Sequence, residues 1–204
     1  LVNIHREKGH TVVGDNHLGD WGTPMGIVIA KILEQSDFKY TLPEIEKLYV
    51  EGGHQFKSDN DFKQQVLDIT QKLQQGHIEY KQIWHKMVKT TIESLEENYT
   101  KMGIKFDTWY GESFYEDIMP SMVQELKEKG FCKESDGALI IELDNHPPLM
   151  LEKTGGGYLY HTSDLACIKF KSDTFDEMLY VVDKRQKMHF EQVFQAALKC
   201  QYIN

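Results

Sequence analysis

Tyr160 and Asp164 stand four residues apart, one turn of a helix, so a helix here presents a phenol and a carboxylate to a single ligand. A carboxylate is the natural receptor for a guanidinium or an ammonium, because charge-assisted hydrogen bonds are about twice as strong as neutral ones. A plainer reading stands beside it: Asp164 follows Thr162-Ser163 at a helix start, where the macrodipole stabilises negative charge whatever the function. Two further polar clusters follow apolar runs. Asp15-Asn16-His17 and Asp20-Trp21-Gly22 come after Val13; Asp183-Lys184-Arg185-Gln186-Lys187-Met188-His189 comes after Val182. In an open α/β sheet, ligands bind at the carboxyl ends of the strands, so both clusters are candidates for a polar ligand. Both also read as ordinary caps and turns.

Other chemistries find little support. Thr154-Gly155-Gly156-Gly157 is neither GxGxxG nor followed by GK[ST], and reads as a turn between strands rather than a phosphate loop. The nine histidines contain no HExxH and no pairing with cysteines, so no metal site is expected. There is no GxSxG nucleophile elbow. Cys132, Cys167 and Cys200 are more than thirty residues apart and odd in number. That is the usage of a reduced, cytoplasmic protein rather than of a disulfide framework.

The elements that must position these residues are legible as hydrophobic periods. Val2 to Gly9 reads as the last turns of a helix closed by glycine, which suggests that a segment precedes it in the parent protein. Thr11–Val13 reads as a short strand and Gly14–Gly22 as a glycine-rich loop. A helix follows with Thr23 as its N-cap, Pro24 at its first position, and Met25, Val28, Ile29, Ile32 and Leu33 on its buried face. From Pro43 to Lys101 the pattern is helical. Phe62, Val66, Ile69 and Leu73 form one stripe, and Trp84, Val88, Ile92, Leu95, Tyr99 and Met102 another. Gly52-Gly53 and Gly76 punctuate it and Met102-Gly103 closes it, so a helical insertion spans about 43–104. Beyond it, Lys105–Tyr110 reads as a strand and Phe114–Lys129 as a helix. Ala138–Leu143 and Leu149–Leu151 read as a hairpin through Asn145-His146-Pro147-Pro148. His161–Lys171 reads as a helix, Met178–Val182 as a buried parallel strand, and His189–Cys200 as a helix. This alternation predicts an α/β fold with a doubly wound, mostly parallel sheet and a helical insertion.

Composition narrows the partners. The 204 residues are 40% apolar and 27% charged, an ordinary globular balance, and no apolar run reaches membrane-spanning length. The net charge is −9, and residues 107–204 hold 17 acidic against 10 basic groups. A nonspecific nucleic-acid binder carries the opposite sign.

Three strings are more specific than any period. They are Gly14-Asp15-Asn16-His17-Leu18-Gly19-Asp20-Trp21-Gly22-Thr23, Tyr158-Leu159-Tyr160-His161-Thr162-Ser163-Asp164-Leu165-Ala166, and the run from Tyr180 to Phe194 that contains Asp183-Lys184-Arg185-Gln186 and His189. Phe106-Asp107, Gly111-Glu112-Ser113 and Asp136-Gly137-Ala138-Leu139 lie between them. In this order they resemble the arginyl-tRNA synthetases, class I aminoacyl-tRNA ligases, over essentially the whole chain.

The resemblance implies a Rossmann-like catalytic core. Its activity joins L-arginine to ATP, with Mg2+ accompanying the nucleotide, and passes the arginyl group to tRNA(Arg). It also implies that Tyr160, Asp164 and Gln186 bind the arginine side chain, with Asp164 on the guanidinium and the other two supplying neutral hydrogen bonds. His189 is expected near the nucleotide. The His-x-Gly-His motif with which class I synthetases hold ATP is missing: His17-Leu18-Gly19-Asp20 matches three letters and ends in an aspartate. Neither the second, KMSK-like loop nor an anticodon-binding domain is present. The expectation is therefore a partial catalytic domain, inactive alone, from a monomeric cytoplasmic ligase without membrane association. The alternatives are a non-catalytic synthetase-like binding or scaffold protein, and an unrelated nucleotide-binding α/β enzyme.

Overall fold

The computed structural model describes residues 1–153 and 157–204, which divide into two units, Leu1–Gly111 and Glu112–Asn204.

The first unit is helical. It contains α1 (Val2–Glu7), α2 (Thr23–Leu33), α3 (Leu42–Ser58), α4 (Asn60–Gln74) and α5 (Ile78–Lys101). Its core is built on α2, whose Ile27, Val28, Ile29, Ala30 and Ile32 are buried. Packed with them are Ile45 and Leu48 of α3, Phe62, Val66, Ile69 and Leu73 of α4, and Ile83, Trp84 and Met87 of α5. Asp59 caps α4, its Oδ1 accepting from the N–H groups of Asp61 (3.0 Å) and Phe62 (3.1 Å), which satisfies two donors that the first turn leaves free. Gly22, at φ 81°, is the N-cap of α2, so Thr23 is its first residue rather than its cap.

Glycine sets how closely these helices approach. A Cβ on Gly26 would collide with Thr70 Oγ1 and lie 3.0 Å from the Val66 carbonyl of α4. A Cβ on Gly52 would lie 2.5 Å from Ile27 Cγ2. Gly52-Gly53 therefore does not punctuate the helical stretch; α3 runs through it unbroken, and Gly52 is where α2 seats. Gly103, at φ 69°, closes α5: its N–H donates to Thr100 O and that of Ile104 to Tyr99 O, the paired bonds of a glycine-terminated helix. The last turns of α5 are half-exposed, unlike the buried stripe expected there, and Met102 is exposed.

The second unit contains α6 (Met119–Glu128), β1 (Lys133–Ser135), β2 (Ala138–Ile141), β3 (Leu149–Glu152), α7 (Tyr160–Ser172) and α8 (Lys187–Lys199). Short 3-10 turns cover Glu112–Tyr115 and Lys184–Gln186. The sheet has the order β1-β2-β3 and both pairings are antiparallel. Asp136 and Gly137 join β1 to β2, both at positive φ (50° and 75°), the conformation that a two-residue hairpin requires and that Asp-Gly favours. The β2–β3 hairpin forms as expected. Tyr115, Met119, Met122, Leu126, Ile141, Leu149, Leu151, Leu165, Ile168, Val193 and Ala196 make the core of this unit.

The mostly parallel, doubly wound sheet is not assembled among the described residues. Parallel pairing there is limited to one bridge, Asp15 with Thr108. Thr11–Val13 and Met178–Val182 do not form strands. A parallel strand is buried only between neighbours that pair with it. Met178–Val182 forms no strand among the described residues; Val181 stands 81% exposed, and Tyr180 turns in against Phe190 and Phe194 (ring centroids 5.2 and 5.1 Å). Of the expected glycine turn, Thr154, Gly155 and Gly156 lie outside the described residues. On either side, Lys153 N–H donates to Gly157 O and Glu152 bridges Tyr158 in antiparallel fashion.

Candidate functional site

The loop Gly14–Gly22 belongs to the first unit, and residues 106–111 hold it. Asp107 Oδ2 accepts from Gly14 N–H (2.6 Å) and from Arg6 Nη2 (2.7 Å). Asp15 Oδ1 accepts from Thr108 Oγ1 (2.6 Å) and from Tyr110 N–H (3.1 Å). Farther along, the Trp84 indole donates to Asp20 O (2.6 Å) while its ring meets Trp21 edge-on at 5.4 Å. Gly111 lies so close to the Asp20 carboxylate that a Cβ would fall 2.5 Å from Oδ1. The two sequence blocks thus lock together as backbone and carboxylate partners, and Asp15 and Asp107 serve that clamp.

The second unit carries Tyr160, Asp164, Gln186 and His189. Helix α7 is anchored by Thr162, whose Oγ1 donates to Leu151 O of β3 (2.6 Å), and Thr162 to Ile168 are all buried. That burial includes Asp164, 9% exposed, while Tyr160 at the start of the helix is 53% exposed. Helix α8 is tied near its middle by Gln192, which donates to Pro147 O (2.9 Å). The two anchored helices bring His189 Nε2 to 2.5 Å from Asp164 Oδ2. Tyr160, His161 and His189 form a ring cluster over this contact, with centroids 4.1 Å (Tyr160–His161), 4.9 Å (Tyr160–His189) and 4.9 Å (His161–His189). Burial, with His189 nearby, pushes the His161 imidazole down to about 4, so it is neutral at physiological pH.

Of the four residues singled out from the sequence, the structure therefore brings Tyr160, Asp164 and His189 together. Gln186 is the exposed N-cap of α8, three residues before His189; its N–H donates to Asp183 O (2.9 Å), and its side chain makes no hydrogen bond among the described residues. Asp183 caps the turn that carries it, accepting from Arg185 N–H (2.9 Å) and Nε (2.8 Å). Those bonds, the side-chain one foremost, lower the Asp183 carboxyl below its usual range. His161 was not singled out, and a histidine beside an aromatic at a helix start carries no sequence signal of its own. Burial pushes the Cys200 thiol up to about 12 and raises that of Cys132, so neither is a thiolate nucleophile at neutral pH. Among the described residues no three His, Cys, Asp or Glu side chains converge as a metal-ligand set, and no helix is long and apolar enough to cross a membrane.

Tyr160 and Asp164 lie within a chain that carries the three sequence blocks. The family model for the catalytic domain of class I tRNA synthetases (R) matches residues 1–204, and the chain belongs to that family. It is 37% identical over 201 residues to an arginine–tRNA ligase of Chloroflexus aggregans, covering 95% of this chain and 35% of that protein. To an arginine–tRNA ligase of Francisella tularensis subsp. novicida it is 35% identical over 224 residues, covering 100% of this chain and 39% of the relative. Among solved structures, the crystal structure of arginyl-tRNA synthetase from Plasmodium falciparum superposes with a TM-score of 0.84 at 26% identity, over 100% of this chain and 36% of that one. The chain thus spans a little over a third of the length of these curated relatives.

Proposed function

We propose that this chain is the arginine-selecting part of the catalytic domain of an arginine–tRNA ligase. The carboxylate of L-arginine attacks the α-phosphate of ATP and expels pyrophosphate. A terminal ribose hydroxyl of tRNA(Arg) then attacks the arginyl-adenylate carbonyl and expels AMP. Such chemistry depends on positioning and on charge stabilisation at the phosphoryl group. The residues named here supply the positioning of the amino acid. Mg2+ travels with the ATP phosphates, and none of the residues assigned here holds it.

The observation that carries the reading is the buried Asp164 carboxylate on the same face of α7 as the exposed Tyr160. The guanidinium pairs with Asp164, the Tyr160 hydroxyl donates or accepts beside it, and Gln186 closes the site from the start of α8. The doubly wound sheet belongs to the whole catalytic domain, and the Asp15–Thr108 bridge is where its parallel pairing begins; residues 43–104 are its helical insertion. The parent enzyme acts as a cytoplasmic monomer. Arginine-dependent ATP–pyrophosphate exchange by the full-length protein, with and without tRNA(Arg), is the test, and Asp164→Asn is the decisive variant. No exchange at all refutes the proposal and favours a non-catalytic binding protein; exchange without any dependence on arginine refutes it too and favours another nucleotide-binding enzyme.

A further inference from the structure

We propose that His189 is a positioning residue of the arginine site: its Nε2–H fixes the plane of the Asp164 carboxylate, so that the two oxygens meet the forked edge of a guanidinium in register. The proposal rests on Asp164 being the guanidinium anchor, and it assigns His189 to the amino acid rather than to the nucleotide.

The carboxylate itself creates the need for such a residue. The bond that orients an aspartate carboxylate is a broad sp3–sp2 rotor without sharp wells. The backbone of α7 therefore sets where Asp164 stands, but not which way its oxygens face. A guanidinium is planar, and it binds a carboxylate best through two parallel N–H···O bonds in a shared plane. A carboxylate whose plane is already set loses less freedom when that fork docks.

The structure supplies the constraint. His189 Nε2 lies 2.5 Å from Asp164 Oδ2, and an ionised carboxylate only accepts, so Nε2 is the donor. The two side chains are 16% and 12% exposed, so water competes little for the bond. A carboxylate offers about four acceptor positions, and Oδ2 can therefore take the imidazole N–H together with one from a guanidinium. Both partners are held from one frame. Thr162, two residues before Asp164, donates to Leu151 O of β3 (2.6 Å). Gln192, one turn after His189, donates to Pro147 O in the β2–β3 connection (2.9 Å). Helices α7 and α8 are thus tied to the same hairpin. The imidazole is also fixed as a ring, with centroids 4.9 Å from Tyr160, 4.9 Å from His161 and 4.8 Å from Phe190. Its Nδ1 is buried with no hydrogen-bond partner among the described residues. The one hydrogen bond of this side chain among those residues is the bond to Asp164, so its effect on arginine passes through that carboxylate.

The test uses the full-length enzyme, unaltered and as His189→Gln, His189→Met, Asp164→Asn and the double variant Asp164→Asn with His189→Met. Glutamine and methionine side chains have the same length and only glutamine offers an N–H, so this pair separates the hydrogen bond from the filling of space. The kcat/KM for arginine and the KM for ATP are measured by pyrophosphate exchange, with a thermal melt on each protein. His189→Met should lower kcat/KM for arginine about ten- to hundredfold, the range for one hydrogen bond to a charged group. The loss should lie in the KM for arginine, with kcat and the KM for ATP level. His189→Gln should recover most of it. In the double variant, His189→Met should cost no more than about threefold beyond Asp164→Asn, because the interaction it removes is already weakened. Equal losses in the glutamine and methionine variants, or fully additive losses in the double variant, would show a merely structural ring and overturn the proposal. So does an unchanged KM for arginine in His189→Met, or a rise confined to the KM for ATP. Should the methionine variant lack a cooperative melt, His189→Ala, which also lacks the donor and adds no bulk, takes its place. Failure of the underlying reading has a separate signature, an Asp164→Asn enzyme with an unaltered KM for arginine.

Discussion

Replacing Asp164 by Asn keeps the volume and one hydrogen-bonding oxygen while removing the charge. In the unliganded fold, the amide oxygen of the new side chain still accepts from His189 Nε2–H, so a charge-assisted bond becomes a neutral one. That change costs about 1 kcal/mol, a drop in Tm of about 2–4 °C for a domain of this size. With arginine bound the balance is different. Asp164 is 9% exposed, so a guanidinium docked there is largely removed from water, and without the carboxylate it is buried unpaired. Truncating one partner of such a pair costs about 2–5 kcal/mol, which raises the KM for arginine roughly 30-fold to several thousand-fold at 1.4 kcal/mol per factor of ten. The assay is pyrophosphate exchange by the full-length protein, with a thermal melt on the same protein. If Asp164 is only a helix-start carboxylate, the melt moves and the kinetics do not. An unchanged KM with a slightly lowered Tm would refute the assignment.

Three other outcomes are expected. His161, held near pKa 4 by burial, titrates near 6.5 when unfolded; the unfolded chain takes up the proton first, so this stabilisation is complete above pH about 6.5 and lost as pH falls toward 4. Allowing for the ring's partial exposure, about 1–2 kcal/mol is at stake, and denaturant melts of His161→Gln between pH 4 and 7 should lack that slope. Gly26→Ala drives a Cβ onto Thr70 and to 3.0 Å from the Val66 carbonyl; because backbone cannot retreat, the loss should be about 1–3 kcal/mol or more, measured as a lower denaturation midpoint for the first unit. With its net charge of −9, the 204-residue chain alone should bind tRNA in the nonspecific range, about 10⁻⁴ to 10⁻⁶ M; nanomolar filter binding of a single tRNA species would contradict that expectation.

Local chemistry was enough to read the helices from sequence. The stripe Phe62, Val66, Ile69, Leu73 turned inward as its spacing required, and Gly103 ended α5 because a glycine takes the left-handed turn without strain. The β2–β3 hairpin was legible for the same reason, and so was the family, since the three blocks are strings rather than periods. The one-turn relation of Tyr160 to Asp164 also followed from spacing. Tertiary structure decided what spacing cannot encode. Met178–Val182 is as apolar as a buried strand, yet a strand is made by its neighbours, and without them Leu179, Val181 and Val182 stay exposed while Met178 and Tyr180 are half-buried. Gly52-Gly53 looks like a breaker until Ile27 of α2 is seen seated on it. Most of all, Asp164 and His189 are 25 residues apart in sequence, on two helices that Thr162 and Gln192 pin independently. Only the packing of those helices places an imidazole on the carboxylate, because a contact between anchored elements depends on where both anchors lie and on neither residue's local pattern.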